Sequence, residues 1–282
     1  MATLNTVTSS TRPASPAAGE AYFETDTNKI IVWTGSAWTE IVSDTVPSYL
    51  NQYSLSLDGT NDYADAGNVT QINSATNLSV SLWFNLDNLT SGGARPVLMA
   101  GGPGTFYIWP DTNTTLSYVT GGVPHSFTVS TWSTGQWYHL TTVHAGTSLE
   151  VYLDGSSIGT ATVSAVASNQ GNNLNIGHWT NGVGSVGNYL DGKMDEVALF
   201  TSALSSSEVT AIYNNGGPAD LASYSPVGWW RMGDNDGGTG TTITDQGVTY
   251  DPTANGGAGG YVASGNDATL VNGPTFSTDI PS

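Results

Sequence analysis

LSVSLWF, residues 78 to 84, sets Leu78, Val80, Leu82 and Phe84 in alternation with Ser79, Ser81 and Trp83. Successive side chains of a strand point to opposite faces, so the first set shares one face and the second the other. The same grammar runs outward in both directions. Gly, Ser, Thr and Asn punctuate the chain, and the apolar runs between them are mostly about four to eight residues long, rich in Val, Ile, Leu, Tyr and Trp. That is the signature of an antiparallel all-β sandwich or jelly roll. The pattern predicts strands near residues 53–57, 78–86, 96–100, 105–109, 115–119, 125–130, 136–144, 148–153, 158–164, 173–177 and 193–200.

One helix interrupts the pattern. In TSALSSSEVTAIYNNGG, Ser205 and Glu208 fit a Ser-x-x-Glu capping box and Asn215-Gly216 supplies a stop. Val209, Ile212 and Tyr213 form one apolar face, which predicts a packing helix lying on a sheet edge or end. Composition then divides the chain. Residues 1–45 comprise a Ser/Thr/Pro/Ala-rich extended arm and a β-hairpin, and residues 46–282 the sandwich, with its core over 53–215 and a Gly-rich tail over 216–282. In the tail, Val227, Trp229, Trp230, Met232, Leu270, Val271 and Phe276 argue for strands, whereas 233–268 reads as loop.

The hairpin, YFETDTNKIIVWTGSAWTEI, residues 22 to 41, holds Trp33 and Trp38. Thr25 to Asn28 are turn-forming types, Ile30 to Trp33 are β-prone, and the Gly35 turn leads into Trp38, Ile41 and Val42. So small a ribbon is marginal in water, so Tyr22, Phe23, Ile31, Trp33 and Trp38 need a second surface. Two are open to them: the rest of the same chain, or copies of the chain and a larger assembly.

Charge excludes several functions. Five Lys and Arg stand against 23 Asp and Glu, for a net charge of −18. Such a surface is repelled by phosphate backbones and anionic lipid, which argues against nucleic acid and membrane as partners. Cysteine is absent, so disulfides and thiolate metal sites are ruled out. No run approaches 18 apolar residues, and MATLNTVTSSTRPASPAAGE lacks the apolar core of a secretory signal. The Asn-x-Ser/Thr matches at Asn68, Asn77, Asn88 and Asn113 are expected by chance in so Ser/Thr-rich a chain.

Five stretches carry a likeness when taken in order: LSLDGTNDYADAG (55–67), LSVSLWF (78–84), GQWYHLTTVHAGTSLEVYLDGSSIG (135–159), LNIGHW (174–179) and YLDGKMDEVALFTSALSSSEVTAIYNNG (189–216). Together they resemble the laminin G-like branch of concanavalin A-like jelly rolls. GEAYFETDTNKIIVWTGSAWTEI resembles a short β module of tailed-bacteriophage structural proteins. PVGWWRMGDND and ATLVNGPTFSTDIP resemble the tails of laminin G-like proteins of marine phages, cyanophages especially. In most laminin G-like proteins a Trp-containing segment precedes the Leu-Asp-Gly strand, and here it follows the helix. Two arrangements fit: a permuted sandwich closed by its C-terminal strand, or a strand offered to a neighbour.

Glycosidases of this fold resemble one another in a Glu-x-Asp-x-x-Glu strand that sets acid and nucleophile on one face. No such run occurs here, and Asp195 and Glu196, being adjacent, are expected on opposite faces. GSSIG (155–159) is followed by a strand pattern rather than a helix, so Ser157 is no nucleophile elbow and Asp154-Gly155 reads as a hairpin turn. His139 and His144 have odd spacing on one strand and read as structural. No enzyme activity is expected. The resemblance implies one calcium site, with Asp58, Asp62 and Asp195 at the matching positions; the competing reading of an Asp before Gly is a turn residue. Asp234-Asn235-Asp236-Gly237 lacks the later Glu of a calcium loop and reads as solvated loop. Trp109, His178, Trp179 and Tyr189 lie beside Gly/Asn-rich segments where sugar-stacking platforms tend to be, and are the candidate glycan residues.

The resemblance makes the leading expectation a non-enzymatic virion protein of a phage particle, a capsid decoration, cement or fibre-type component. It would be a homo-oligomer, trimer favoured, held to other virion proteins through the hairpin. The alternative is a glycan-binding adhesin that recognises host-surface polysaccharide.

Overall fold

Two units, Met1–Leu50 and Asn51–Ser282, divide the chain in the computed structural model, which describes residues 5–24, 29–40, 49–88, 98–100, 106–166, 171–179, 189–254 and 259–282. In the first unit, β1 (Asn5–Val7), β2 (Ala21–Glu24), β3 (Lys29–Trp33) and β4 (Trp38–Glu40) form a four-stranded sheet in that order. The arm therefore adds a strand of its own, parallel to β2. The turn expected at 25–28 and the residues Ile41 and Val42 lie outside the described residues.

Register sorts the aromatic set of the first unit. Tyr22 stands opposite Ile31 and Trp33 opposite Trp38, so these four share a face. Phe23 pairs with Ile30 on the other face, which separates it from the assembly set it was read with. The Trp33 and Trp38 rings lie 5.4 Å apart, and Tyr22 meets Trp38 edge-on at 5.7 Å. Glu24, on the Tyr22 side, is buried and forms an ion pair with Arg12 that ties the arm to the sheet.

The second unit holds, in chain order, β5 (Ser54–Asp58), β6 (Tyr63–Asp65), β7 (Asn77–Leu86), β8 (Leu98–Ala100), β9 (Tyr107–Thr112), β10 (Thr115–Thr120), β11 (Val123–Thr128), β12 (Trp137–Ala145), β13 (Ser148–Leu153), β14 (Ser156–Thr162), β15 (Leu174–Ile176), β16 (Asp191–Phe200), α1 (Ser206–Tyr213), β17 (Gly228–Trp230), β18 (Thr242–Ile243), β19 (Val248–Asp251), β20 (Gly260–Ala263), β21 (Ala268–Val271) and β22 (Thr275–Ser277). The first sheet runs β14-β13-β12-β7-β16-β5-β22, with β17 also on β16. The second runs β11-β10-β9-β8-β15-β6-β21-β18. Leu78, Val80, Leu82 and Phe84 of β7 face inward onto Ile108, Leu116, Leu174 and Ile176 of the second sheet, so the two sheets share one core. The Asp154-Gly155 turn is the two-residue hairpin expected, with φ of 49° and 72°. Among the described residues no helix is long and apolar enough to cross a membrane.

Three expectations change. First, α1 lies over the outer face of the first sheet rather than at its edge or end. The outward residues Trp83 and His139, on the neighbouring central strands β7 and β12, need a cover, and Tyr213 stacks 5.8 Å from each. The Ser205–Glu208 capping box is present, and the helix stops at Asn214, with φ of 49°. Second, the stretch 233–268 is not loop: it supplies β18 and the β19–β20 hairpin, whose strands pair only with each other. Third, sequence reading missed β6, whose three residues are too few to show a period. The C-terminal strand question is settled within the chain, because β22 pairs with β5 and β21 with β6.

A β-bulge between Asp195 and Ala198, with Glu196 at φ 48°, breaks the alternation of β16. The two acids consequently join one buried network instead of facing opposite sides. Asp195 accepts from Asn51 Nδ2 at 2.9 Å and from the Glu196 backbone N at 2.8 Å. Glu196 accepts from Trp229 Nε1 at 2.6 Å and Arg231 Nε at 3.2 Å. Arg231 also donates to Asp234 and Asn235, and Asp234 Oδ1 takes the backbone N–H groups of Gln52 and Tyr53. The Asp234 loop is thus a structural clasp rather than solvated.

Burial, then the Glu196 charge, raises the Asp195 carboxyl well above its ordinary value of 3.8. A carboxyl raised on folding favours the folded state at pH below its unfolded value, and that contribution is lost as pH climbs through the folded value. Asn51 Oδ1 is buried without a partner, so turning its amide lets it accept from a protonated Asp195, or from an amide at the same position. Urea unfolding of the wild type between pH 4 and 8 should show stability falling with pH. Asp195→Asn should flatten that slope and hold or raise the midpoint at pH 7; an unchanged slope would refute the assignment.

Candidate functional site: an aromatic face on the second sheet

β9 alternates Ile108, in the core, with Tyr107 and Trp109 on the outer face. The two rings stack at 4.4 Å with planes 11° apart. Tyr107 also meets Trp179, 5.6 Å away. On β6, Ala64 faces the core and Tyr63 faces out. Tyr63 lies 4.8 Å from His178, which stacks on Tyr189 at 4.3 Å. β9, β8, β15 and β6 are consecutive in the sheet, so these rings cross about 14 Å of its outer face at the usual strand spacing.

Gly177 makes the junction between the two clusters. Its φ is +83°, and a Cβ there would fall 2.4 Å from Leu57 Cδ1, so only glycine lets the chain leave β15 and turn His178 outward against Tyr189. His178 is nearly enclosed by that stack, whereas Tyr63, Tyr107, Trp109, Trp179 and Tyr189 are half-buried and keep ring surface in solvent. Hydrogen-bonding groups border the rings. Asp111 accepts from Ser117 at 3.3 Å, and Asp65 accepts from Asn173 at 2.9 Å.

Burial lowers the His178 imidazole, keeping it neutral. Burial raises the Tyr107 phenol; burial, then Asp65 and Tyr189, raise that of Tyr63. Flat neutral rings flanked by hydroxyl and carboxylate groups suit a ligand with an apolar face and polar edges.

Of the glycan candidates, the structure brings Trp109 and Trp179 together through Tyr107, and stacks His178 directly on Tyr189, with Tyr63 beside both. Sequence reading missed Tyr107 and Tyr63. The signal for Tyr107 was the YIW alternation, in which a core Ile between two aromatics marks both as outward; Tyr63 had none, because β6 itself went unread.

The metal candidates do not form one site. Asp58 accepts the backbone N–H of Thr60 at 2.8 Å in a turn of its own. Asp62 is buried beside it, and its carboxyl is raised by that burial and then by Asp58. Asp195 lies four residues along β16 from the partner of Asp58, about 13 Å away, inside the clasp. These acids therefore do not fit a shared calcium ion. Among the described residues no group of three or more His, Cys, Asp or Glu is placed to hold a metal ion. His139 bonds Ser81 on the outer face, where burial lowers it to about 3; His144 bonds Tyr118 on the core side. Asp195 and Glu196 are sealed from solvent, so neither can reach a glycosidic bond.

A laminin G model described as the concanavalin A-like lectin/glucanases superfamily matches residues 58–210. A Bacteroides ovatus crystal structure, provisionally described as a carbohydrate binding protein, aligns with TM-score 0.59 at 15% identity, covering 94% of this chain and 71% of that one. The SAP-like pentraxin of Limulus polyphemus aligns with TM-score 0.48 at 16% identity over 58% of this chain and 82% of its own. The Ruminococcus gnavus IT-sialidase CBM40 aligns with TM-score 0.47 at 12% identity over 58% and 98%. No curated protein sequence matches the chain.

Tyr107 touches both outward tryptophans, so Tyr107→Ala should disturb two rings at once. With 5-fluorotryptophan incorporated, the ¹⁹F resonances of Trp109 and Trp179 should shift together while those of the core tryptophans stay put. A shift in only one of the two would show that the cluster is not coupled through Tyr107.

Proposed function

Because the chain belongs to the concanavalin A-like lectin/glucanases superfamily, we propose that it binds glycans on the outer face of its second sheet and acts by recognition rather than turnover. The carrying observation is the run of rings Trp109–Tyr107–Trp179 and His178–Tyr189–Tyr63 across one face. A pyranose offers a C–H face to such rings and hydroxyls to Asp111 and Asp65 at their borders. The description of the Bacteroides ovatus structure agrees with this reading, and host-surface polysaccharide is the substrate class an adhesin would meet.

The test is a broad glycan array, followed by titration of the best hit. Binding should saturate, and Trp109→Ala with Trp179→Ala should weaken it about tenfold or more, each ring contact being worth about 1 kcal/mol. With burial lowering the His178 imidazole, affinity should hold as pH rises from 7 to 8. No hit on the array, or unchanged affinity in the double variant, would overturn the reading.

A second reading rests on the first unit. Trp33, Trp38 and Tyr22 form a half-buried aromatic cluster on a sheet of only four short strands. Together with the module's resemblance to tailed-phage proteins, this supports a decoration, cement or fibre-type virion component that displays the lectin-like unit as a homo-oligomer, trimer favoured. Light scattering should then give a trimer for the full chain and a monomer for a variant lacking residues 1–50. Two monomers would remove the basis for this assembly role.

A further inference from the structure

The β19–β20 hairpin stands off both sheets and carries two of the most exposed large side chains among the described residues. Tyr250 is 60% exposed and Tyr261 66%, and the two are register partners with rings 5.9 Å apart, edge to face. Beside them a groove of about 580 Å³ runs under the ribbon toward the end of β16. That volume lies within the ordinary range for small-molecule sites. We propose that this groove is a second saccharide-binding site, taking an uncharged sugar chain against Tyr250 and Tyr261, separate from the aromatic face of the second sheet.

The lining argues for the ligand class. Apart from the tyrosines, hydroxyl and amide side chains, including Gln71, Thr201, Ser202, Ser225 and Thr249, share the wall with Ala75, Val227 and Val248. Gln71 Oε1 has no hydrogen-bond partner among the described residues, leaving an acceptor unused by the fold. Among the described residues no lysine, arginine, aspartate or glutamate lines the groove, although the chain bears a net charge of −18. The nearest acid in sequence, Asp251, spends its carboxylate on the backbone N–H and hydroxyl of Thr253. A charged ligand would find no counter-ion among these lining residues. Rings with hydroxyl-rich edges suit both the tyrosine faces and the polar floor.

The ribbon is held so that the rings stay presented. Gly247 packs on Gly228 so closely that a Cβ would lie 2.7 Å from the Gly228 backbone. Asp245 accepts the backbone N–H groups of Trp229, Gly247 and Asn266 at 2.8, 2.7 and 3.0 Å, and Val248 N donates to Pro226 O at 2.7 Å. At the other end, Gly259 has φ +78°, and a Cβ there would sit 2.2 Å from the Tyr250 hydroxyl. The missing side chain lets that phenol lie against the backbone, so Gly259 is a positioning residue for Tyr250.

Affinity electrophoresis of the full chain through gels containing galactomannan, laminarin or dextran tests the site. To separate it from the aromatic face, the assay is run in the wild type and in the Trp109→Ala/Trp179→Ala background. At least one polymer should still retard that background, and adding Tyr250→Ala and Tyr261→Ala should weaken the retardation at least tenfold. Gly259→Ala alone should give a partial loss with both tyrosines in place. The tyrosines are exposed, so the melting temperature should move little. Three results overturn the proposal: no retardation of the background by any polymer, equal retardation with and without the tyrosines, or a change in solution mass on their removal, which would make the pair a protein contact. Weaker retardation of the tryptophan variant than of the wild type, with retardation still present, bears on the first site, not on this one.

Discussion

The Arg231 guanidinium is the point at which three remote parts of the second unit meet. It donates to Glu196 at the bulge of β16 and to Asp234 and Asn235 in the following loop, and lies 5.5 Å from the centre of the Trp229 ring. Asp234 in turn holds the backbone where the unit begins, at Gln52 and Tyr53. A buried cation is tolerable only when its donors are met, and a buried acid only when it is paired or protonated. Glu196 and Asp234 flank one guanidinium, Asp195 lies beside Glu196, and the excess of acid is relieved by the proton that burial favours on Asp195. The clasp fixes where β17 docks on β16 and brings the C-terminal segment back to β5, where β22 closes the sheet.

That clasp also explains why part of the architecture was readable in the sequence and part was not. The long strands β7, β12 and β16 each bury one face in the shared core, so their period showed through, and the capping box at Ser205 is a local signal that needs no tertiary partner. The bulge at Glu196 is different. Its positive φ is stabilised by Trp229 and Arg231, more than thirty residues downstream, and no local pattern announces it. The outer position of α1 follows from Trp83 and His139 needing cover, a demand visible only once the two strands are known to be neighbours. β18, β19 and β20 are short and Gly-flanked, and their order comes from Asp245 binding backbone of Trp229, Gly247 and Asn266.

The aromatic faces were legible to the extent that they use strand alternation. Trp109 and Trp179 could be nominated from their neighbourhoods, but the tyrosines that join the clusters depend on sheet order. β6 and β9 start 44 residues apart, at Tyr63 and Tyr107, and only β8 and β15 lying between them make one face of both. The acids suggested by the family resemblance fail as a set for the same kind of reason: the β5–β16 register puts Asp58 and Asp195 at opposite ends of their pairing.

Charge and recognition are kept apart on this molecule. The excess of carboxylates makes the surface negative and so hostile to polyanions, yet the rings of the second sheet are neutral at physiological pH, and the groove under the β19–β20 hairpin has no charged lining. Contacts of this kind are insensitive to salt and to pH near neutrality, because neither dispersion against a ring nor a hydroxyl hydrogen bond depends on a screened Coulomb term. They are also individually weak. Affinity built from them must come from several rings meeting one chain or from several sites meeting one polymer, since linking weak sites raises the effective concentration of each for the next. On the proposed reading, a face of rings and a separate tyrosine groove would each multiply contacts of this kind, which is the physical route by which a shallow surface of mostly neutral groups can hold a polysaccharide.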